Sequence, residues 1–246
     1  MILEVKNLSK SYGATGSQVH ALRDVSLELN KGEILGIVGE SGSGKTTLLK
    51  LLSGLEAPDQ GEIRLNGRPL SIKRTKDDYR AIQMVFQDAV ASFHPRRTIE
   101  ASILEAFKNL RGREEKMDKE ALSQIVGLSP ELMKRRPAQL SGGQCQRFAI
   151  ARAVVVKPKV LLCDEITSAL DVSTQSQILR LLSKICRDSG TSAIFVSHDL
   201  AVVSILCDRI MVMKDGAVIE AGNVRQIIED PKEDYTKRLI ESVMEI

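Results

Sequence analysis

The 246-residue sequence predicts an α/β fold with a parallel-sheet core, a small antiparallel sheet and an inserted helical region. Three observations predict it. An apolar run, Ile34-Leu35-Gly36-Ile37-Val38, leads into the loop Gly39-Glu40-Ser41-Gly42-Ser43-Gly44-Lys45-Thr46 and then into a helix-like stretch over residues 47–52. Further short apolar runs at 82–86, 160–163 and 193–196 have the length and composition of strands buried on both faces, and helical patterns separate them. Between Gln87 and Lys157 the strand signal nearly vanishes and helical periodicity takes over.

The elements follow in chain order. Residues 3–8 and 25–29 alternate like half-buried strands, and 62–65 run into an Asn66-Gly67 turn, which together predict the antiparallel sheet. Residues 99–109, 116–126 and 143–155 carry helical periodicity, a hairpin is expected around Asp215-Gly216, and an amphipathic helix over 235–243. The apolar share of 43% supports a real core, and the net charge of +3 arises from both signs spread along the chain, so no strong field for nucleic acid or anionic lipid is implied. No apolar run reaches the roughly 18 residues of a membrane span, and Met1-Ile2-Leu3-Glu4-Val5-Lys6 lacks the plan of a signal peptide, so the expected compartment is the cytosol. Cys145, Cys163, Cys186 and Cys207 are scattered and read as packed, reduced thiols. The charged runs at 111–116 and 134–136 read as solvated helix ends.

The chemistry starts at the glycine-rich loop. Its spacing is that of a Walker A motif, in which glycines let backbone N–H groups turn inward around phosphate oxygens. Gly39, Glu40, Ser41, Gly42, Ser43 and Gly44 form the cradle; Lys45 reaches the β- and γ-phosphates, Thr46 offers a hydroxyl to Mg²⁺, and Thr47 continues the helix start that faces the nucleotide. A second element, Val160-Leu161-Leu162-Cys163-Asp164-Glu165, is an apolar strand ending in two carboxylates, as in a Walker B motif. Side chains alternate along a strand, so Asp164 can serve Mg²⁺ while Glu165 orients and deprotonates the attacking water. Hydrolysis of a nucleoside triphosphate, beyond mere binding, is the expectation.

The third element is Leu140-Ser141-Gly142-Gly143-Gln144, at the start of the helical stretch that continues through Arg147, Ile150 and Val154. Physically, Ser141 as a helix N-cap followed by two glycines makes an exposed anion-binding turn. With both Walker motifs in this order, the sequence resembles the ATP-binding cassette family over nearly its whole length. The resemblance implies a P-loop NTPase with the ABC ATPase fold. It implies a single domain over 1–246, with a RecA-like core lobe and antiparallel β subdomain over 1–87 and 158–246, and a helical subdomain over 88–157 carrying the signature. It also implies that Tyr12 stacks on adenine, Gln87 links Mg²⁺ to the helical lobe, Ser168-Ala169-Leu170-Asp171 forms the D-loop, and His198 contacts the γ-phosphate. Two such cassettes, identical or different, would pair head to tail, the turn Ser141, Gly142, Gly143 and Gln144 capping the partner's ATP. One departure concerns Ile166, where the family commonly has proline; proline would hold Glu165 extended, and isoleucine relaxes that restriction.

Within the family, the segment Gln87-Asp88-Ala89-Val90-Ala91-Ser92-Phe93-His94-Pro95-Arg96-Arg97-Thr98-Ile99 is similar to cassettes of dipeptide, oligopeptide and nickel importers, with Ala89 replacing a usual proline. Asp234-Tyr235-Thr236 only partly follows that branch's Pro-Tyr-Thr motif. The resemblance implies import driven by ATP through separate membrane permease subunits, fed by an extracytoplasmic solute-binding protein, with this chain peripheral at the cytoplasmic face. No nucleic-acid partner is expected. The alternatives are a cassette of another transporter class or one of DNA maintenance, but the latter usually carries coiled coils or zinc modules between Walker A and signature. Here the interval from Lys45 to Ser141 is short and cysteine-free.

Overall fold

The computed structural model describes residues 1–13, 18–112 and 114–244, with no side chains described for 242–244. The described chain gathers into two compact units, residues 1–74 with 192–246, and residues 75–191. The strands over 82–85 and 160–164 fall in the second unit together with the helices expected over 88–157.

In the first unit, β1 (Leu3–Tyr12) and β2 (Val19–Leu29) pair antiparallel, and β4 (Gln60–Leu65) and the short β5 (Arg68–Pro69) complete a sheet ordered β2-β1-β4-β5. The alternation read at 3–8 and 25–29 survives as burial: Leu3, Val5, Leu8, Val25, Leu27 and Leu29 are inside. β3 (Ile34–Val38) is buried throughout and lies parallel to both β8 (Ser192–Ser197) and β9 (Arg209–Lys214), while β10 (Ala217–Asn223) closes the hairpin at Asp215-Gly216. α1 (Lys45–Ser53) starts two residues earlier than its apolar pattern indicates, with Gly44 at φ +100° in the N-cap position. α7 (Leu200–Leu206), α8 (Val224–Glu229) and α9 (Asp234–Met244) follow.

In the second unit, β6 (Ile82–Val85) and β7 (Val160–Asp164) pair parallel, and no strand lies between them among the described residues. After the single-turn-and-a-half α2 (Lys76–Ala81), α3 (Ile99–Arg111) buries Ile99, Ile103 and Phe107, a stripe at four-residue spacing. α4 (Lys119–Val126) begins later than the expected 116 because Asp118 takes the Ala121 N–H as an N-cap. Two 3₁₀ turns, Pro130–Lys134 and Pro137–Gln139, lead into α5 (Gly142–Val154). The long α6 (Val172–Ser189) packs on α4 and α5 and buries Ile178, Leu182 and Ile185. All four cysteines are buried. Of the charged runs, Arg111 pairs with Glu115 and Lys134 with Glu131 at the surface, while Arg113 lies outside the described residues.

Candidate functional site

The first unit assembles the phosphate loop. β3 delivers the chain to Gly39 at the carboxyl edge of parallel strands, where α/β folds place ligands. Only glycine fits at Gly39, since a Cβ there would stand 2.2 Å from the Met213 carbonyl oxygen. Lys45 is 4% exposed, and its ammonium donates to the carbonyls of Gly39 (2.7 Å) and Glu40 (2.8 Å) and, more weakly, to Ser43 Oγ (3.4 Å). The loop is thus wrapped around one buried cation. At the head of α1 the N-cap position is Gly44, which offers no side-chain cap, and the helix start brings its partial positive charge to the loop. These features suit a polyphosphate.

Two further predicted residues join that loop in the same unit. Val38 pairs with Ser197, so Gly39 and the exposed His198 leave their strands side by side at one edge. Tyr12 ends β1 with its ring half-exposed, its hydroxyl donating to Glu56 and Lys10 Nζ 5.7 Å from the ring centroid. Burial first, then the Glu56 bond, raises its pKa above the ordinary phenol value, while a contact with the Thr47 hydroxyl on α1 opposes them. The phenol stays neutral and its ring is held beside the helix that starts at the phosphate loop.

The second unit assembles the carboxylates. Val85 pairs with Cys163, so Gln87 and the Asp164-Glu165 pair leave β6 and β7 at a common edge. Asp164 is buried at 5% exposure. Glu165 sits at φ +46°, a left-handed turn and not the extended conformation that a following proline favours; Ile166 fills a buried slot behind it. That conformation costs a non-glycine residue about 1–2 kcal/mol, and Ser168 offsets it by donating its N–H (3.2 Å) and Oγ (2.9 Å) to the Glu165 carbonyl. The Gln87 amide reaches toward Ser168 Oγ (3.3 Å) and, at 3.5 Å, toward the Glu165 carboxylate. The resemblance implies Gln87 at Mg²⁺; its approach to the Glu165 carboxylate is not signalled by the sequence.

The signature turn folds as its residues dictate. The Gln144 N–H donates to Ser141 Oγ (3.3 Å) and the Ser141 N–H to Gln144 Oε1 (3.1 Å), a reciprocal cap that leaves Ser141 and Gly142 exposed at the head of α5. A Cβ at Gly143 would lie 2.6 Å from Thr174 Cγ2, so glycine there lets α6 approach. Asp171 caps α6, accepting from Ser173 Oγ, the Thr174 N–H and Thr174 Oγ1. Those bonds, Ser173's first, hold its carboxyl far below the usual carboxylate range, so Asp171 is ionised and committed to the helix start across the working pH range.

One residue in this unit, Arg152, was not signalled as functional by the sequence. Phe93, within the segment that resembles importer cassettes, is buried at 4%. Arg152 of α5 stacks on its ring, 4.6 Å to the centroid, and donates to the Ser92 carbonyl, while burial lowers the guanidinium pKa. Arg152 therefore ties the segment after Gln87 to the signature helix. Arg152→Met is expected to lower unfolding free energy by about 2–3 kcal/mol, through loss of a charge-assisted bond and a cation–π contact. Phe93→Leu should cost less, and the double variant should fall short of the sum; the midpoints of urea unfolding measure all three.

An α/β fold with this loop, these strand-end carboxylates and this capped turn defines a P-loop nucleotide-hydrolysing cassette. A profile described as "ABC transporter" matches residues 22–168. The chain is 43% identical, over 98% of its length and 74% of the relative's, to the oligopeptide transport ATP-binding protein OppF of Haemophilus influenzae. It is 41% identical, over 99% of its length and 72% of the relative's, to the methionine import ATP-binding protein MetN 3 of Oceanobacillus iheyensis. Among solved structures, the dimeric ATP-binding cassette MJ0796 in a post-hydrolysis state bound to ADP and Pi superposes with a TM-score of 0.79, at 31% identity, covering 91% of this chain and 99% of that one. The chain belongs to the ABC transporter family: it is an ATPase with the ABC cassette fold.

Proposed function

We propose that this chain is the ATPase subunit of an importer for peptides or nickel-type substrates, working at the cytoplasmic face of a membrane through separate permease subunits. The observation that carries the substrate class is the 43% identity, over 98% of the chain, to a protein named for oligopeptide transport. The methionine-import relative, nearly as similar, favours an amino-acid importer as the second reading. No described helix is long and apolar enough to cross a membrane, so in this reading the substrate path belongs to the permeases.

In this reading Gly39 to Thr47 bind the triphosphate, Lys45 neutralises its β- and γ-oxygens, and Tyr12 carries the adenine. Glu165 takes the proton of the attacking water, Gln87 and Ser168 holding its carboxylate and backbone in place, and His198 contacts the γ-phosphate. Thr46, Gln87 and Asp164 offer oxygen donors only, a set that suits Mg²⁺. When bound, Mg²⁺ would draw charge from the phosphate oxygens. A second cassette, the same or different, presents its own Ser141-to-Gln144 turn to the nucleotide, so ATP links the pair. The lobe over 88–157 carries that turn and the docking surface.

Docking is placed on the exposed residues of the segment that follows Gln87, Val90 and His94 among them, because a segment tied to Glu165 at one end and to Arg152 at the other can report nucleotide state. Phe93 is buried and unsuited to cross-linking, whereas Val90 is 45% exposed. Val90→Cys is expected to cross-link to a permease subunit in membranes, with a yield that changes on adding ATP. Co-isolation with DNA or ribosomes and no permease adduct would overturn the importer reading while leaving the ATPase intact.

A further inference from the structure

We propose that Tyr235 is a positioning residue for the phosphate loop, its hydroxyl holding the Glu40 amide so that the mouth of the loop is shaped before ATP arrives. The inference rests on the reading that this loop binds ATP. The Glu40 N–H donates to Tyr235 Oη at 3.0 Å, joining residues 195 positions apart. Tyr235 is 7% exposed, and Lys214 of β9 lays its ammonium 5.1 Å from the ring centroid, so the side chain is gripped on its face as well as at its tip.

The start of α9, which carries Tyr235, is itself fixed. The Glu220 carboxylate of β10 accepts the N–H groups of Lys232 (2.8 Å) and Glu233 (3.2 Å). The opposite side of the loop is held by the β9–β10 turn: the Gly216 N–H donates to the Ser43 carbonyl at 3.2 Å, and Gly39 lies against the Met213 carbonyl. β9, β10 and α9 thus bracket the glycine-rich loop and add to the hold that Lys45 has on it. Ordering a flexible loop on binding reduces affinity, and a loop held beforehand avoids that cost. A hydroxyl that acts on the loop's shape, and on no reacting atom, should change the affinity for ATP and not the rate of the chemical step.

Tyr235→Phe tests this, since it removes one oxygen and keeps the ring. In the purified chain, KM and Kd for ATP are expected to rise about three- to tenfold, the worth of one hydrogen bond, with kcat within about twofold. The Glu40 amide should exchange hydrogen about tenfold faster, while amides of β3 exchange as before. An unchanged KM with unchanged exchange at Glu40 overturns the proposal, as does a loss confined to kcat. Lys45→Ala is the comparator: if it abolishes ATP binding while Tyr235→Phe binds like the parent, Tyr235 has no positioning role and the loop assignment stands. If the parent itself binds no ATP, the loop assignment fails and the proposal fails with it.

Discussion

Glu165→Gln is expected to slow ATP hydrolysis by about 10²–10⁴-fold, the usual contribution of a positioned general base, while leaving nucleotide binding at the parental level. Glutamine keeps the shape of the side chain and loses only its ability to take a proton. The backbone should hold, because Ser168 bonds the Glu165 carbonyl and not the carboxylate. With hydrolysis blocked and binding intact, ATP-linked dimers should accumulate, visible as a shift in size-exclusion elution on adding ATP. Hydrolysis at the parental rate would remove Glu165 from the mechanism.

Lys45→Ala should act one step earlier and weaken ATP binding itself, raising Kd by about 10²-fold or more. The reason lies in the loop's construction around the Lys45 ammonium, which bonds the Gly39 and Glu40 carbonyls at 2.7 and 2.8 Å. Alanine removes the charge that neutralises phosphate oxygens and leaves those two carbonyls without this donor, so the cradle loosens as well as losing its cation. Calorimetric titration with ATP measures the change. A Kd equal to the parent's would contradict the phosphate-loop assignment. Because Glu165→Gln spares binding and Lys45→Ala spoils it, the two variants separate chemistry from recognition in one pair of measurements.

How much of the site was legible follows from how far apart its residues lie in the chain. The strand, loop and helix at 34–53 are a local construction: apolar run, glycines at fixed spacing and a helical pattern all sit within one window, and the structure adds only that Gly44 starts α1 at Lys45. The Ser141–Gln144 capping box is equally local, a bond between residues three apart. The alternating strands and the stripe of Ile99, Ile103 and Phe107 were readable because burial imposes a period on the sequence. Phe93 shows the limit of that reading. Its segment looks polar and loop-like, and nothing near it in sequence shows that Arg152, bonded to the Ser92 carbonyl sixty positions before it, would cover its ring.

The sequence by itself determined the class of the protein: a phosphate loop, two strand-end carboxylates and a capped signature turn are each short patterns whose chemistry needs those residues at that spacing. Tertiary structure alone decided how these pieces are held to work. It brought Gln87 to Glu165 across 78 positions, set Glu165 in a left-handed turn stabilised by Ser168, and placed the Tyr235 hydroxyl on the Glu40 amide across 195. A local motif is specified by backbone geometry over a few residues, whereas a single hydrogen bond between distant segments is worth only about 1 kcal/mol and imposes no period or composition on either one. Such contacts exist because the sheets and helices around them were already packed, and so they become visible only in the folded chain.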